Sequence, residues 1–181
     1  MLVLGIDPGS ITSGWALLKS EGKRIEYVGS GVLEFDKKVD FLERLTQIKE
    51  TSDALINELS PDEVALESLI FVKSPTSLIK LAQTRGIILS ALVERFRGKI
   101  FEYSPNLIKS TAVGYGHADK VSVQKFLDMT LGKRDYKTHD ESDAVAIALC
   151  HILNKNSLGK KSSKPSGGKG LAASVAHKLK A

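Results

Sequence analysis

The chain holds one cysteine, Cys150, in 181 residues, so no disulfide can close within it and a disulfide-stapled secreted fold is excluded. Long apolar runs are equally scarce. The longest uninterrupted one, from Ala144 to Cys150, is far short of the roughly 18 residues that mark a membrane span. The opening MLVLGID has no basic segment and reaches Asp7 at once, so it does not read as a signal peptide. Ordinary glycine (15) and proline (5) content excludes collagen-like and wholly disordered chains. The motifs G-x-S-x-G, H-E-x-x-H, G-x-x-x-x-G-K-[ST] and G-x-G-x-x-G are all missing, and with them the usual marks of serine hydrolases, zinc proteases and mononucleotide or dinucleotide sites. These absences point to a reducing, cytoplasmic setting.

What is present is unevenly spread. Lys and Arg number 26 against 21 Asp and Glu, but seven lysines (155, 160, 161, 164, 169, 178 and 180) and no acid lie beyond Leu153. The first 153 residues hold 19 basic and 21 acidic side chains, a balance of −2. The run KKSSKPSGGKG cannot build a packed core. The expected organisation is therefore one domain over 1–153 and a basic, flexible tail over 154–181. A domain of about 150 residues buries roughly 70% of its unfolded surface, enough for one core.

Three strands are expected first, Leu2–Asp7, Thr12–Lys19 and Arg24–Phe35, and the short turns between them make an antiparallel meander. Lys38–Leu59 carries Leu42, Leu45, Ile48, Leu55, Ile56 and Leu59 on one helical face. Pro61 ends that helix, and Glu63–Glu67 reads as a short buried strand. A helix over Pro75–Arg97, a strand at Ile100–Tyr103, short helices near Pro105–Val113 and Lys120–Leu131, and a last helix over His139–Leu153 complete the pattern. Hairpins followed by alternating strands and helices predict a mixed α/β sheet flanked by helices.

Four carboxylates stand out by position. Asp7 and Glu67 each end an apolar strand; if the two strands are neighbours, both emerge at one sheet edge, where open α/β sheets place their ligands. Asp140 and Asp143, three apart at the start of the last helix, share a helical face. Thr138 and Glu141 have the spacing of a capping box, which gives Glu141 a structural task. Taken singly, each acid has an ordinary role. A helix-dipole contact worth about 0.3–1 kcal/mol accounts for Asp140, a turn for Asp7, a lysine partner for Glu67. Asp143 opens the apolar run AVAIALC and needs a partner, because buried acids are paired or bind cations. Four such acids without clustered His or Cys suit Mg²⁺ or Mn²⁺ better than zinc. Lys109 and Lys120 flank a Gly-rich segment, VGYGHADK, that suits phosphate as well as it suits an ordinary turn.

The segments GIDPGSITSGWAL, ALESLIFVKSPTSLIKLAQTRG, EYSPNLIKSTAVGYGHADK and HDESDAVAIALCH closely resemble the four motif blocks of the RuvC family of bacterial Holliday-junction resolvases, in order, from residue 2 to about 153. The resemblance implies a ribonuclease-H-like fold and a homodimer that resolves four-way DNA junctions by paired, metal-dependent nicks. It implies a role in recombination and repair, with handover from the RuvAB branch-migration complex. It matches the family's catalytic and metal-binding acids to Asp7, Glu67, Asp140 and Asp143, with two Mg²⁺ ions per site and Mn²⁺ as substitute. Its phosphate-facing lysines match Lys109 and Lys120, Lys120 also serving catalysis. Phe71 and Lys73 are expected on DNA. Phe71 lies one residue past the family's usual stacking position, which here is Ile70. Two other readings differ in kind. An actin-like or sugar-kinase ATPase would need a second lobe for which 181 residues leave no room, and a junction-binding scaffold would not keep all four acids.

Overall fold

The computed structural model describes residues 1–69, 74–113 and 119–161. Its first strands, β1 (Leu2–Asp7), β2 (Thr12–Glu21) and β3 (Arg24–Glu34), pair antiparallel in chain order. Helix α1 (Phe41–Leu59) crosses to β4 (Glu63–Glu67), which joins β1 in parallel. Helix α2 (Pro75–Leu92) then leads to β5 (Ile100–Tyr103), parallel to β4. The open, mixed five-stranded sheet has the order β3-β2-β1-β4-β5. Helices α3 (Pro105–Val113), α4 (Lys120–Leu131) and α5 (His139–Lys161) follow. Among the described residues no helix is long and apolar enough to cross a membrane.

Alternation along the strands divides the core between the two sheet faces. Leu4, Ile6, Val64 and Leu66 pack with Ile48 and Ile56 of α1 and Ile88 and Leu92 of α2. Val3 and Ala65 face the other way and pack with Ala144, Ile147 and Ala148 of α5 and with Leu127 of α4. By the same period of two, Asp7 and Glu67 share the face covered by α5.

Three helix boundaries differ from the sequence pattern, and β2 and β3 end at Glu21 and Glu34 rather than at Lys19 and Phe35. Helix α1 starts at Phe41 rather than Lys38, with Asp40 as N-cap accepting from Leu42 N–H at 2.9 Å. The buried Arg44 guanidinium takes the carbonyls of Ser10, Asp36, Lys37 and Val39, so those loop carbonyls are engaged outside any helical ladder. Helix α2 stops at Leu92 rather than Arg97. Phe96 turns back into the core, and Gly98, at φ 73°, makes the bend into β5. Helix α5 continues to Lys161, past the expected end at Leu153. Its extension is tied down: Asn154 donates to Thr111 at 3.1 Å, Lys155 pairs with Glu63, and Asn156 donates to the Gly22 carbonyl.

Candidate active site

The pairing of Ile6 with Leu66 in adjacent parallel strands sets Asp7 and Glu67 side by side at the strands' carboxyl ends. Two glycines then let α5 lie directly on the sheet. A Cβ on Gly14 would fall 1.8 Å from the Asp140 carbonyl oxygen, and one on Gly5 would fall 2.2 Å from that of Ala144. Any side chain at either position would lift the helix start off β1 and β2. With hydrogens there instead, the first turn of α5 brings Asp140 and Asp143 over the ends of β1 and β4. The neighbourhood of Asp7 that the sequence pattern anticipates is thus assembled by backbone contact.

The electrostatics report the same crowding. Burial, then the charges of Asp143, Glu67 and Asp140, push the Asp7 carboxyl up to about 8. Glu67 is raised by burial and by Asp143, against the pull of Lys109 and Lys120. Asp143 is raised chiefly by burial, with Lys120 opposing. Lys120 Nζ stands 3.7 Å from Asp143, with both side chains solvent-accessible. Asp140 is turned onto Thr12, whose hydroxyl donates to its carboxylate. The carboxylates therefore share a field without yet forming a cage. Among the described residues no three His, Cys, Asp or Glu side chains already enclose one ion point. A divalent cation suits this donor set. It replaces mutual repulsion by attraction, and the oxygen-only ligands favour a hard metal.

At the start of α5, Glu141 N–H donates to Thr138 Oγ1 at 3.2 Å, as a capping box requires. The return contact goes one residue further back, to Lys137 N–H at 2.7 Å. The other carboxylate oxygen of this buried side chain accepts from Ser30 at 2.6 Å, and Ser30 in turn meets Tyr27. Arg134 lies 3.8 Å over the Tyr27 ring. Glu141 thus clamps the helix start to β3. Glu141→Gln should retain cleavage. The amide can keep its oxygen on Lys137 N–H and present its NH₂ to Ser30, whose hydroxyl then donates to Tyr27. Glu141→Ala takes from the Lys137 N–H and the Ser30 hydroxyl their shared acceptor, at about 0.5–1.5 kcal/mol net for each bond, and should lower the melting temperature and cleavage together. Melting curves and cleavage rates of the two variants check this. A larger activity loss in Glu141→Gln than in Asp140→Asn would overturn the division of roles.

Of the expected site residues, Asp7, Glu67, Asp140, Asp143, Lys109 and Lys120 converge at one end of the sheet. Ile70, Phe71 and Lys73, and Gly114 and Gly116 of the Gly-rich segment, lie outside the described residues. His139 is exposed in the first turn of α5. Sequence reasoning missed Thr12 and the Tyr27–Ser30 pair. They are unremarkable hydroxyl residues on strands, and only the tertiary fold brings them to α5.

A carboxylate cluster between lysines on an open sheet of ribonuclease-H-like architecture defines a class, the enzymes that cleave phosphodiester bonds in nucleic acids. Within that class the chain belongs to the RuvC family: the model described as "Crossover junction endodeoxyribonuclease RuvC" matches residues 3–151. The crossover junction endodeoxyribonuclease RuvC of Nitrobacter hamburgensis is 40% identical over 153 residues, covering 84% of this chain and 89% of its relative. That of Brucella suis is 33% identical over 156 residues, covering 86% and 90%. The structure of T. thermophilus RuvC in complex with a Holliday junction substrate superposes with a TM-score of 0.78 at 26% identity, covering 87% of this chain and 96% of that one. The family is one of metal-dependent nucleases.

Proposed function

We propose that this protein resolves four-way DNA junctions by paired nicks and acts in DNA recombination and repair. The observation that carries the reading is the convergence of Asp7, Glu67, Asp140 and Asp143 at one sheet edge flanked by Lys109 and Lys120. In this reading Asp7, Glu67, Asp140 and Asp143 would hold two Mg²⁺ ions, for which Mn²⁺ would substitute. When bound, such ions polarise the scissile phosphate and lower the pKa of water. Lys120 neutralises charge developing on the phosphate, and its approach to Asp143 holds it at the reacting centre. Lys109 steadies the neighbouring phosphate, Lys73 adds a DNA contact, and Phe71 stacks on bases at the crossover. No side-chain nucleophile is required. The test is incubation with a synthetic mobile four-way junction and Mg²⁺, with Asp143→Asn as control. Paired nicks are expected from the native protein alone, and an uncut junction would refute the reading.

Two nicks on strands of like polarity call for two sites related by a two-fold axis, hence a homodimer. The outer face of α2 supports one. Ile79 (59%) is exposed there, as is Val93 (49%) at the helix's C-cap, and nothing lies within 4 Å of a Cβ placed on Gly86. Gly86→Trp should shift the protein toward monomer in sedimentation and convert paired cuts into single nicks. An unchanged dimer would exclude this face.

The protein is read as cytoplasmic, receiving junctions from a RuvAB-type branch-migration complex. The domain proper is taken as 1–153, and the lysine-rich tail, 154–181, is read as a non-specific DNA contact. Because α5 runs to Lys161, truncation after that residue leaves the helix whole and removes four lysines. Each neutralised phosphate contributes about −0.9 to the slope of log K against log salt. Truncation should therefore flatten that slope by roughly 3–4 and weaken junction and duplex alike. An unchanged slope would remove the tail from the DNA interface.

A further inference from the structure

Asp7 ends β1 and Thr12 opens β2, and residues 8–11 turn the chain between them. That loop is held at three successive residues. The Gly9 N–H donates to the buried Ser13 hydroxyl at 3.0 Å, and the same hydroxyl donates to the Gly9 carbonyl at 3.1 Å. The Ser10 carbonyl accepts from the buried Arg44 guanidinium at 3.0 Å. The Ile11 carbonyl accepts from Phe35 N–H at 2.8 Å. Thr12 itself pairs with Glu34 across the β2–β3 ladder. Its backbone is thus fixed on both sides, and a β-branched side chain on a fixed backbone has few choices of χ1. The hydroxyl is aimed at α5, where Thr12 Oγ1 donates to Oδ2 of Asp140. Among the described residues this is the only hydrogen bond or ion pair that the Asp140 carboxylate makes.

We infer that Thr12 is a positioning residue for the metal centre, its hydroxyl holding one oxygen of Asp140 so that the other is left to a cation. The inference rests on the metal-site reading above. Asp140 stands half-buried in the first turn of α5, and its charge is one of those bearing on Asp7. An acid so placed is repelled by its neighbours and, without a partner, swings out toward water. A hydroxyl holds it in place and brings no positive charge to compete with a metal ion. Lys120, 3.7 Å from Asp143, is the contrast, since a cation arriving there meets a charge of its own sign. The two oxygens of a carboxylate offer about four lone-pair directions, so a hydrogen bond to Oδ2 leaves Oδ1 open. Partners that orient a metal's ligands in this way count for roughly ten- to a hundredfold in metal affinity or activity. The braced loop therefore carries Asp7 at one end and, through Thr12, Asp140 at the other. The cost of bringing these two like charges together is met when the chain folds, before any metal binds.

The test titrates Mg²⁺ into the full-length protein at one alkaline pH and follows the melting temperature. The concentration at which that temperature starts to climb marks the dissociation constant. It is read within each variant, so a change in metal-free stability does not disturb it. Thr12→Val keeps the branched shape and loses the donor; its onset should move to roughly ten- to a hundredfold more Mg²⁺. Thr12→Ser keeps the donor and should stay close to the native onset. Single-turnover cleavage of a four-way junction by Thr12→Val should shift along the Mg²⁺ axis by the same factor, while gel shifts without metal show native junction binding. A Thr12→Val onset at or below the native one would overturn the inference. So would a Thr12→Ser onset displaced as far as that of Thr12→Val, which would assign the effect to packing instead of the hydrogen bond. A native protein that Mg²⁺ does not stabilise at all would sink the metal-site reading itself, and this inference with it.

Discussion

Asp7→Asn, Glu67→Gln, Asp140→Asn and Asp143→Asn should each lose junction cleavage by about a hundred- to a thousandfold while binding a four-way junction nearly as tightly as the native protein. An amide keeps the shape of the carboxylate and removes the charge that a cation needs. DNA affinity rests mainly on contacts between basic side chains and phosphates, and these stay in place. The four need not fall equally. Asp7 lies deepest and is influenced by the other three acids, so Asp7→Asn should be the least active. Asp143 is paired with Lys120 at 3.7 Å; Asp143→Asn releases that lysine and should bind junctions slightly more tightly. Gel shifts and single-turnover rates on one mobile junction measure both quantities. A parallel loss of binding and cleavage in all four would show that the carboxylates hold the fold together rather than the reaction.

The second large effect concerns pH and metal. In the metal-free protein the Asp7 carboxyl is raised from 3.8 to about 8. A raised acid contributes its full stability below the unfolded value of about 3.9 and loses it as pH climbs through the folded value. Asp7 therefore destabilises the metal-free fold increasingly between about pH 4 and pH 8, and Glu67 and Asp143, also raised, act in the same direction. Asp7→Asn removes the largest part. Its melting temperature should match that of the native protein below pH 4 and exceed it by roughly 10–20 °C above pH 8. Mg²⁺ should restore the native protein's stability in the alkaline range by binding only the folded state, and should do little for Asp7→Asn. Thermal melts across pH, with Mg²⁺ and with a chelator, decide the matter. A difference between the two proteins that does not vary with pH would mean that Asp7 is neither buried nor crowded.

Much of this was legible in the chain itself. The strands of the meander, β4 and β5 declare themselves through short apolar runs bounded by turns, and Asp7 and Glu67 read as strand ends because an acid directly after such a run cannot continue it. Asp140 and Asp143 read as one face because helix periodicity is local. The limits of α1, α2 and α5 were not legible. The Arg44 guanidinium that gathers the carbonyls of Ser10, Asp36, Lys37 and Val39 acts across a loop, and the contacts of Asn154, Lys155 and Asn156 reach α3, β4 and the turn between β2 and β3.

What the sequence determined by itself is the set of groups: which acids, which lysines, and the faces on which local periodicity displays them. What only the tertiary structure decided is their mutual distance. Gly5 and Gly14 are ordinary strand residues until α5 rests on them. Glu141 is a cap until Ser30 arrives from β3, and Thr12 is a strand opener until Asp140 accepts its hydroxyl. The physical reason lies in range. Backbone propensity and side-chain periodicity act over a few residues of chain and can be read in order. Coulomb interaction and desolvation act through space, so the raised Asp7 carboxyl exists only once residues 133 and 136 positions further along have folded back over it.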